Sequence, residues 1–208
     1  ENNGIIEWGS GNIDVDPMFV DTANGDYHLL ASSQLINGGH PDSLDSDGSR
    51  ADMGAFPYLN SYSGPTWHIA ESGNDTTATG ASDDPFRSIQ SGINFSSDAD
   101  SITVAAGTYV ENIYNQSKVI SIIGEDRDNT IIDGSLGGTN DPTVYLDGDF
   151  EGQTVLFDNI TVTGGDGGFR VLGSTNGTFK VTNCIINDND WTGSANGATA
   201  IGVFSGNS

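Results

Sequence analysis

The fold is decided by two stretches, Val155-Leu156-Phe157-Asp158-Asn159-Ile160-Thr161-Val162 and Phe179-Lys180-Val181-Thr182-Asn183-Cys184-Ile185-Ile186. The second repeats the pattern of the first at an offset of 24 residues, with Asn159 and Asn183 each between two short apolar runs. A period in the low twenties, built of strands and turns, is typical of one coil of a parallel β-helix, where each coil buries its inward side chains against its neighbours. We also expect the two asparagines to hydrogen-bond each other along the stack, as in an Asn ladder.

More strand-like segments lie on both sides of this repeat. They are short and rich in β-branched residues, and Gly, Asn and Asp, which tolerate left-handed turns, stand between them. The predicted strands of this region are 101–104, 119–123, 130–132, 143–146, 154–157, 160–163, 169–172, 179–182, 184–186 and 200–204. The sequence therefore predicts an all-β protein with a right-handed parallel β-helix.

One short helix is predicted, over about residues 85–95. Asp84 supplies an N-cap and Pro85 suits the first helical position. One apolar stripe at helical spacing is formed by Phe86, Ile89 and Ile93. We expect this helix to cap the start of the β-helix.

The first 58 residues form a separate block in this interpretation, followed by a linker over 59–66 and the β-helix region over 67–208. Strands are predicted in the block at 4–8 and 27–30, and residues 16–20 are predicted to form a turn that leads into a short strand. Its apolar residues are too few for a core of its own, so the block should lean on another part of the structure.

Charge and composition exclude several classes of function. The chain has 29 acidic and 6 basic residues, for a net charge of −23, which argues against binding nucleic acid or an anionic membrane surface. No apolar run approaches the roughly 18 residues of a membrane-spanning helix. Cys184 is the only cysteine, so no internal disulfide forms. The chain begins at Glu1 rather than Met, as expected of a processed product or a piece of a longer protein.

One part of the sequence resembles the amino-terminal cap of secreted right-handed parallel β-helix proteins of the pectate-lyase-like superfamily. The resemblance lies in residues 67–75, 84–90 and 105–112. The marker is Gly107-Thr108-Tyr109-Val110-Glu111-Asn112. In such caps a strand and a short helix close the first coil. The resemblance implies the fold and an extracellular or cell-surface location, and says little about activity.

The first block looks like the carboxy-terminal end of the same kind of domain, through residues 16–20, 25–29 and 47–56. The closing segment thus precedes the opening one, as if the end of one β-helix were followed by the start of another. This order predicts a tandem array, or a filament in which the first block completes a neighbouring copy. An open coil end favours such stacking.

The predicted function is therefore that of a non-catalytic extracellular structural or cell-surface protein, with other copies of itself or adjacent β-helix units as partners. The alternative is a polysaccharide-active enzyme, a lyase or glycoside hydrolase, or a carbohydrate-binding module. Acidic and aromatic side chains from successive coils that meet on one outer face would favour the alternative.

A calcium site is predicted at Asp45, Asp47 and Asp52, which surround the turn at Gly48. Calcium takes six to eight hard oxygen ligands, and alternating Asp residues around a Gly turn supply them. The spacing departs from the EF-hand pattern. The alternative is an Asp-rich turn in contact with solvent.

Two further pairs of carboxylates occur at i and i+2, Asp147 with Asp149 and Asp188 with Asp190. On a strand each pair would share a face about 7 Å apart, within the roughly 6.5–9.5 Å of an inverting glycosidase. Ordinary turns are the simpler explanation. A polysaccharide lyase of the pectate-lyase-like superfamily would also need calcium and a basic residue. The six Lys and Arg residues of the chain are Arg50, Arg87, Lys118, Arg127, Arg170 and Lys180. Of these, only Arg170 and Lys180 lie in the repeating strands.

The remaining chemically versatile side chains have simple structural explanations. The histidines lack a mutual metal-ligand spacing, and Cys184 has no base near it in sequence, so a core thiol is expected. The tryptophans suit the ends of the core, although a sugar-stacking platform is the alternative. These residues are His28, His40, His68, Cys184, Trp8, Trp67 and Trp191.

Overall fold

A computed structural model describes residues 12–138, 141–148, 150, 152–172 and 177–190, and the backbone of 201–204. Several residues named in the sequence analysis lie outside the described residues. They are the predicted strand at 4–8, with Trp8, and Asp149, Trp191 and Ala200. In chain order the elements are β1 (Phe19–Asp21), a 3₁₀ turn (Thr22–Asn24), β2 (Asp26–Leu29), β3 (Thr66–Ile69), α1 (Ile89–Phe95), β4 (Ser101–Val104), β5 (Gly107–Val110), β6 (Ile113–Gln116), β7 (Ser121–Gly124), β8 (Thr130–Asp133), β9 (Val144–Asp147), β10 (Thr154–Asp158), β11 (Thr161–Thr163), β12 (Phe169–Leu172), β13 (Thr178–Thr182), β14 (Ile185–Ile186) and β15 (Ile201–Phe204).

The strands from β3 onward build three parallel sheets, which confirms the predicted fold. The first sheet has the order β13-β10-β7-β4-β3, the second β14-β11-β8-β5, and the third β15-β12-β9-β6. The chain enters the first, second and third sheet in turn, so β4–β6, β7–β9, β10–β12 and β13–β15 are successive coils. Because each coil lies directly on the previous one, side chains at matching positions form rows along the β-helix axis.

The core consists of such rows. In the first sheet Ile102, Ile122 and Phe157 occupy one register position, and each has an exposed fraction of 0%. Fully burying a side chain of this kind stabilises the fold by about 1.5–3 kcal/mol. Alternation along each strand leaves the intervening side chains on the outer faces.

The 24-residue repeat is confirmed by the register of β10 with β13 and of β11 with β14. Phe179 pairs with Val155, and Ile185 with Thr161. Elsewhere the spacing is different, since Ser121 pairs with Ser101 and also lies beside Leu156. Connecting loops of unequal length cause these differences, and they hide the repeat from a search for one period. The strands β5 and β6 were not predicted.

The two asparagines hold the turns differently from the predicted ladder. Asn159 and Asn183 both have left-handed backbone conformations, with φ of 64° and 52°. Asn159 donates through Nδ2 to the carbonyl oxygens of Gly124 and Glu125 in the preceding coil, and Asn183 donates to the carboxylate of Asp158. The predicted Asn–Asn bond was therefore wrong, because Asn159 bonds to backbone of the coil before it and Asn183 bonds to the neighbouring Asp158 carboxylate.

The helix begins later than predicted, since Ser88 is its N-cap and Ile89 its first residue. Phe86 donates its N–H to the His68 carbonyl and accepts from the Ala70 N–H, so this segment extends along β3. The Asp84 carboxylate accepts the N–H of Thr79 instead of capping the helix. The apolar stripe is real, because Phe86, Ile89 and Ile93 are all buried, but its first member reaches the core from extended backbone.

Glu111 explains why the Gly-Thr-Tyr-Val-Glu-Asn string marks the cap. Its carboxylate oxygens accept the N–H groups of Ile89 and Gln90, at 2.8 and 3.0 Å. These are two of the donors that the first turn of a helix leaves without intrahelical partners. The loop between β5 and β6 is thereby tied to α1.

We predict that Glu111 makes stability pH-dependent. Desolvation raises the pKa of the Glu111 carboxyl to about 7, although its two backbone hydrogen bonds oppose the shift. The folded protein therefore keeps a proton that the unfolded chain releases near its ordinary pKa, so the unfolding free energy falls as pH rises from about 4.5 to about 7. Urea titrations across this range should show a shallower fall for Glu111→Gln. The exposed Glu125→Gln is the control and should keep the wild-type slope. Equal slopes for all three proteins would contradict the prediction.

The N-terminal block packs against the β3–α1 end of its own chain. Ala31 donates its N–H to the Asp75 carbonyl at 2.7 Å, and Asn94 on α1 donates through Nδ2 to the carbonyls of Ala31 and Ser33. The Tyr58 hydroxyl donates to the Ala78 carbonyl at 2.7 Å. Within the block, β1 and β2 form an antiparallel pair over a small apolar cluster of Leu29, Leu35 and Ile36.

Candidate functional site

A row of large outward-facing side chains crosses the third sheet. Tyr114 on β6, Tyr145 on β9 and Arg170 on β12 occupy the same register position in three successive coils. The two tyrosine rings are stacked, with centroids 5.2 Å apart and planes at 25°. The guanidinium carbon of Arg170 lies 5.9 Å from the centre of the Tyr145 ring, within the range of a cation–π interaction. We call these three residues the Tyr-Tyr-Arg ladder.

The ladder points outward because its sequence neighbours point inward. Ile113, Val144 and Phe169 precede the three ladder residues, and their exposed fractions are 2%, 0% and 1%. Strand alternation then places the next side chain of each strand on the outer face. Neighbouring strands are about 4.8 Å apart, so the ladder runs along the axis of the β-helix.

A carboxylate lies beside the ladder. The Tyr114 hydroxyl donates to Asp147 Oδ2 over a long 3.5 Å. Burial first, and then the negative charge of Asp147, raises the pKa of both Tyr114 and Tyr145, and the charge of Arg170 only partly opposes this at Tyr145. Both phenols therefore keep their protons at neutral pH and act as hydrogen-bond donors.

The ladder lines one wall of a groove that is made of two adjoining cavities. The first, of about 380 Å³, is lined by the ladder together with Gln34, Asn112 and Asp141. The second, of about 660 Å³, shares Gln34 and Tyr114 with the first and extends to Arg50 and Lys118. Because Gln34 and Arg50 belong to the N-terminal block, the block and the β-helix form the groove together.

The groove brings together a few of the residues singled out in the sequence. Arg170 and Asp147 lie at the ladder, and Arg50 and Lys118 line the second cavity. Asp149 lies outside the described residues. Tyr114, Tyr145 and Gln34 were not predicted from the sequence. The signal was a Tyr directly after an inward apolar residue in both Ile113-Tyr114 and Val144-Tyr145, but their alignment became visible only with the strand register.

The three residues of the predicted calcium site lie in one loop. Each carboxylate accepts backbone N–H groups: Asp45 from Asp52, Asp47 from Ser49 and Asn60, and Asp52 from Asn37 and Tyr58. Burial, with a smaller contribution from the charges of Asp45 and Asp47, raises the pKa of Asp52. In the part of the chain that the structure describes, no group of three or more His, Cys, Asp or Glu side chains could hold a metal ion. Calcium binding at this loop stays a prediction.

The other candidate residues are dispersed. Trp67 is 2% exposed and packs in the cap, as expected, and its indole N–H donates to Asp100. Cys184 is partly buried against the core. His28 is stacked on Phe56, and the other candidates lie apart from the groove on exposed or partly exposed surface, namely His40, His68, Arg87, Arg127, Lys180, Asp188 and Asp190.

Comparison with known proteins agrees with the fold. A family model described as a protein of unknown function, DUF1565, matches residues 71–127, and that family is associated with parallel β-helix proteins. The match covers α1, the first coil and β7, and it ends before Tyr145 and Arg170. A comparison with curated proteins found no match. Among the described residues, no helix has the length and apolar character needed to cross a membrane.

Proposed function

We propose that this protein is a non-catalytic extracellular β-helix protein that binds a carbohydrate chain along the groove of its third sheet. The observation that carries the proposal is the Tyr-Tyr-Arg ladder, in which aromatic and charged side chains of successive coils meet on one outer face. An extracellular location is part of the proposal and rests on the resemblance to secreted β-helix proteins of the pectate-lyase-like superfamily.

The chemistry of the groove suits a sugar. A sugar ring has apolar C–H faces and a rim of hydroxyl groups, so it needs aromatic surface together with hydrogen-bond donors and acceptors. The ladder supplies both, since Tyr114 and Tyr145 combine ring surface with protonated hydroxyls and Arg170 adds N–H donors. Gln34 and Asp141 on the same cavity wall supply further polar groups.

The three ladder residues favour binding over cleavage. A lyase needs a side chain that removes a proton from the sugar, and the raised pKa values of Tyr114 and Tyr145 make their phenolates scarce at neutral pH. The guanidinium of Arg170 offers several N–H donors in a fixed plane and is placed over Tyr145, which suits it to holding a ligand. The ladder therefore supplies contacts for a ligand rather than a base for cleavage.

A glycan array with the full chain tests this proposal. We expect the protein to bind a limited set of oligosaccharides and to leave them intact. Hits should be incubated with the protein and analysed by mass spectrometry for shortened or unsaturated products. Products that accumulate with time would favour the polysaccharide-active enzyme instead, and an array without any binding would contradict the proposal.

An architectural role in a tandem array or head-to-tail filament is a second candidate. It is favoured by the contact between the N-terminal block and the β3–α1 end, shown by the bonds of Asn94 to Ala31 and Ser33. A segment that resembles the close of a β-helix here rests on the start of one, and a rigid array of such units would need that contact. Electron microscopy of the purified protein should then show fibres with a regular axial repeat. Isolated particles of one chain would exclude the filament.

A further inference from the structure

Another cavity lies away from the groove, where the hairpin β1–β2 meets the loop that follows β3. It has a volume of about 390 Å³, within the usual range of small-molecule sites. Its walls come mainly from β2, from residues 56–59, and from Thr76 and Thr77 of the loop. It shares no lining residue with the two cavities of the groove. We call this separate site the hairpin cavity.

Two aromatic rings line the hairpin cavity, those of Phe56 and Tyr58. Phe56 is held by stacking on the ring of His28, with centroids 4.6 Å apart and planes at 25°, and it is still 45% exposed. The Tyr58 hydroxyl donates to the Ala78 carbonyl, so this residue contributes ring surface to the cavity. The faces of such rings carry partial negative charge and attract cations.

Negative charge surrounds the two rings. Asp26 lines the cavity, and hydrogen bonds from the backbone N–H and the ring of His28 lower the pKa of its carboxyl. Burial raises the pKa of Tyr58, and the charges of Asp75 and Asp84 add to this effect, so two further carboxylates act on that ring. Among the described residues that line the cavity, none is Lys or Arg. The charge of the cavity therefore complements a cation.

The hydrogen-bonding groups of the cavity favour one class of cation. A primary ammonium has three N–H donors, and a donor left without an acceptor costs free energy. Asp26 Oδ1 already lies within hydrogen-bond distance of the backbone N–H and Nδ1 of His28, at 3.0 and 2.7 Å. A quaternary ammonium spreads its charge over alkyl groups and needs no acceptor. Aromatic faces beside a carboxylate suit it, because it binds through cation–π and charge attraction alone.

We propose that the hairpin cavity binds a small quaternary ammonium compound, with its cationic head against the rings of Phe56 and Tyr58 and near the Asp26 carboxylate. The aliphatic side chains of Val20 and Leu59 line the same cavity and pack against the alkyl groups of the ligand. This site does not depend on the groove binding a carbohydrate.

Choline and its neutral isostere 3,3-dimethylbutan-1-ol test the proposal, because they have the same shape and differ in charge. Each is titrated into the full chain at about pH 8 and about 0.15 M salt, and binding is followed by NMR. We expect choline to bind at least about tenfold more tightly than the alcohol. The largest chemical-shift changes should fall on residues 26–29, 56–59 and 76–77.

Two variants separate the aromatic contribution from the charge. Phe56→Leu keeps an apolar side chain and removes the ring, and Asp26→Asn removes the charge and keeps an acceptor for His28. Each should lower the affinity for choline by at least about fivefold and change that for the alcohol little. Tyr27→Leu is the control, since it removes an exposed ring of β2 that does not line the cavity. Its affinity for choline should equal that of the wild type.

Three outcomes would overturn the inference. They are the absence of choline binding, equal affinities of the wild type for choline and the alcohol, and unchanged choline affinity in both variants. The last is expected if an acidic protein attracts the cation without a specific site. Thermal unfolding of each variant shows whether the hairpin is intact, and the comparison of the two ligands on the wild type needs no variant. A glycan array result of either sign leaves this test unaffected.

Discussion

Replacing Phe157 with alanine should lower the free energy of unfolding by about 3–5 kcal/mol, as is usual for a large aromatic side chain removed from a core. Phe157 is 0% exposed and lies in the third coil, between Ile122 below and Val181 above. Its ring makes edge contacts with Phe169 and Phe179, at centroid distances of 5.1 and 5.9 Å. The cavity left by Phe157→Ala would therefore remove packing contacts between the third and fourth coils and between the first and third sheets.

Urea unfolding followed by circular dichroism measures this effect. Phe56→Ala is the matched control, because it removes the same side chain from a position that is 45% exposed. We expect a change of at most about 1 kcal/mol there, as at other surface positions. Equal losses for the two variants would mean that Phe157 is not inside a stacked core.

Replacing Tyr145 with alanine should weaken binding of a groove carbohydrate by at least about tenfold, or about 1.4 kcal/mol. Tyr145 is the middle residue of the ladder and contacts both Tyr114 and Arg170. Its loss removes a ring and a hydroxyl and also leaves its two neighbours without the side chain that orients them. Central aromatic residues of this kind carry much of the energy of a binding site.

Isothermal titration calorimetry with the best oligosaccharide from the array checks this prediction. The control is Tyr27→Ala, since Tyr27 lies on β2 and is 48% exposed. Its affinity should equal that of the wild type. Unchanged affinity in Tyr145→Ala, together with unchanged thermal stability, would exclude the ladder as the binding surface.

The fold was accessible from the sequence where neighbouring coils have equal length. The strands β10 and β11 and the turn at Asn159 recur in β13, β14 and the turn at Asn183 at one offset of 24 residues. The repeat can therefore be recognised in the sequence. The cap was accessible through its resemblance to known β-helix caps, and the structure adds that Glu111 of the marker string bonds to α1. The start of α1 was not, because the extended backbone of Phe86 follows from its bonds to β3, which helical spacing does not reveal.

The ladder was inaccessible for a related reason. Tyr114, Tyr145 and Arg170 are separated by loops of unequal length, and their common row follows from backbone pairing of β6, β9 and β12. Arg170 was recognised as a base within the repeating strands, yet its aromatic neighbours were not. Gln34 joins them from the N-terminal block, a contact between distant parts of the chain that no local pattern encodes.

The most direct test of the binding groove is NMR chemical-shift mapping of the full chain during titration with the oligosaccharide that binds most tightly on the array. We predict that the largest shifts fall on β6, β9 and β12, at and around Tyr114, Tyr145 and Arg170, with smaller ones near Gln34. Shifts concentrated on the first sheet or on the hairpin β1–β2 would contradict the proposed groove.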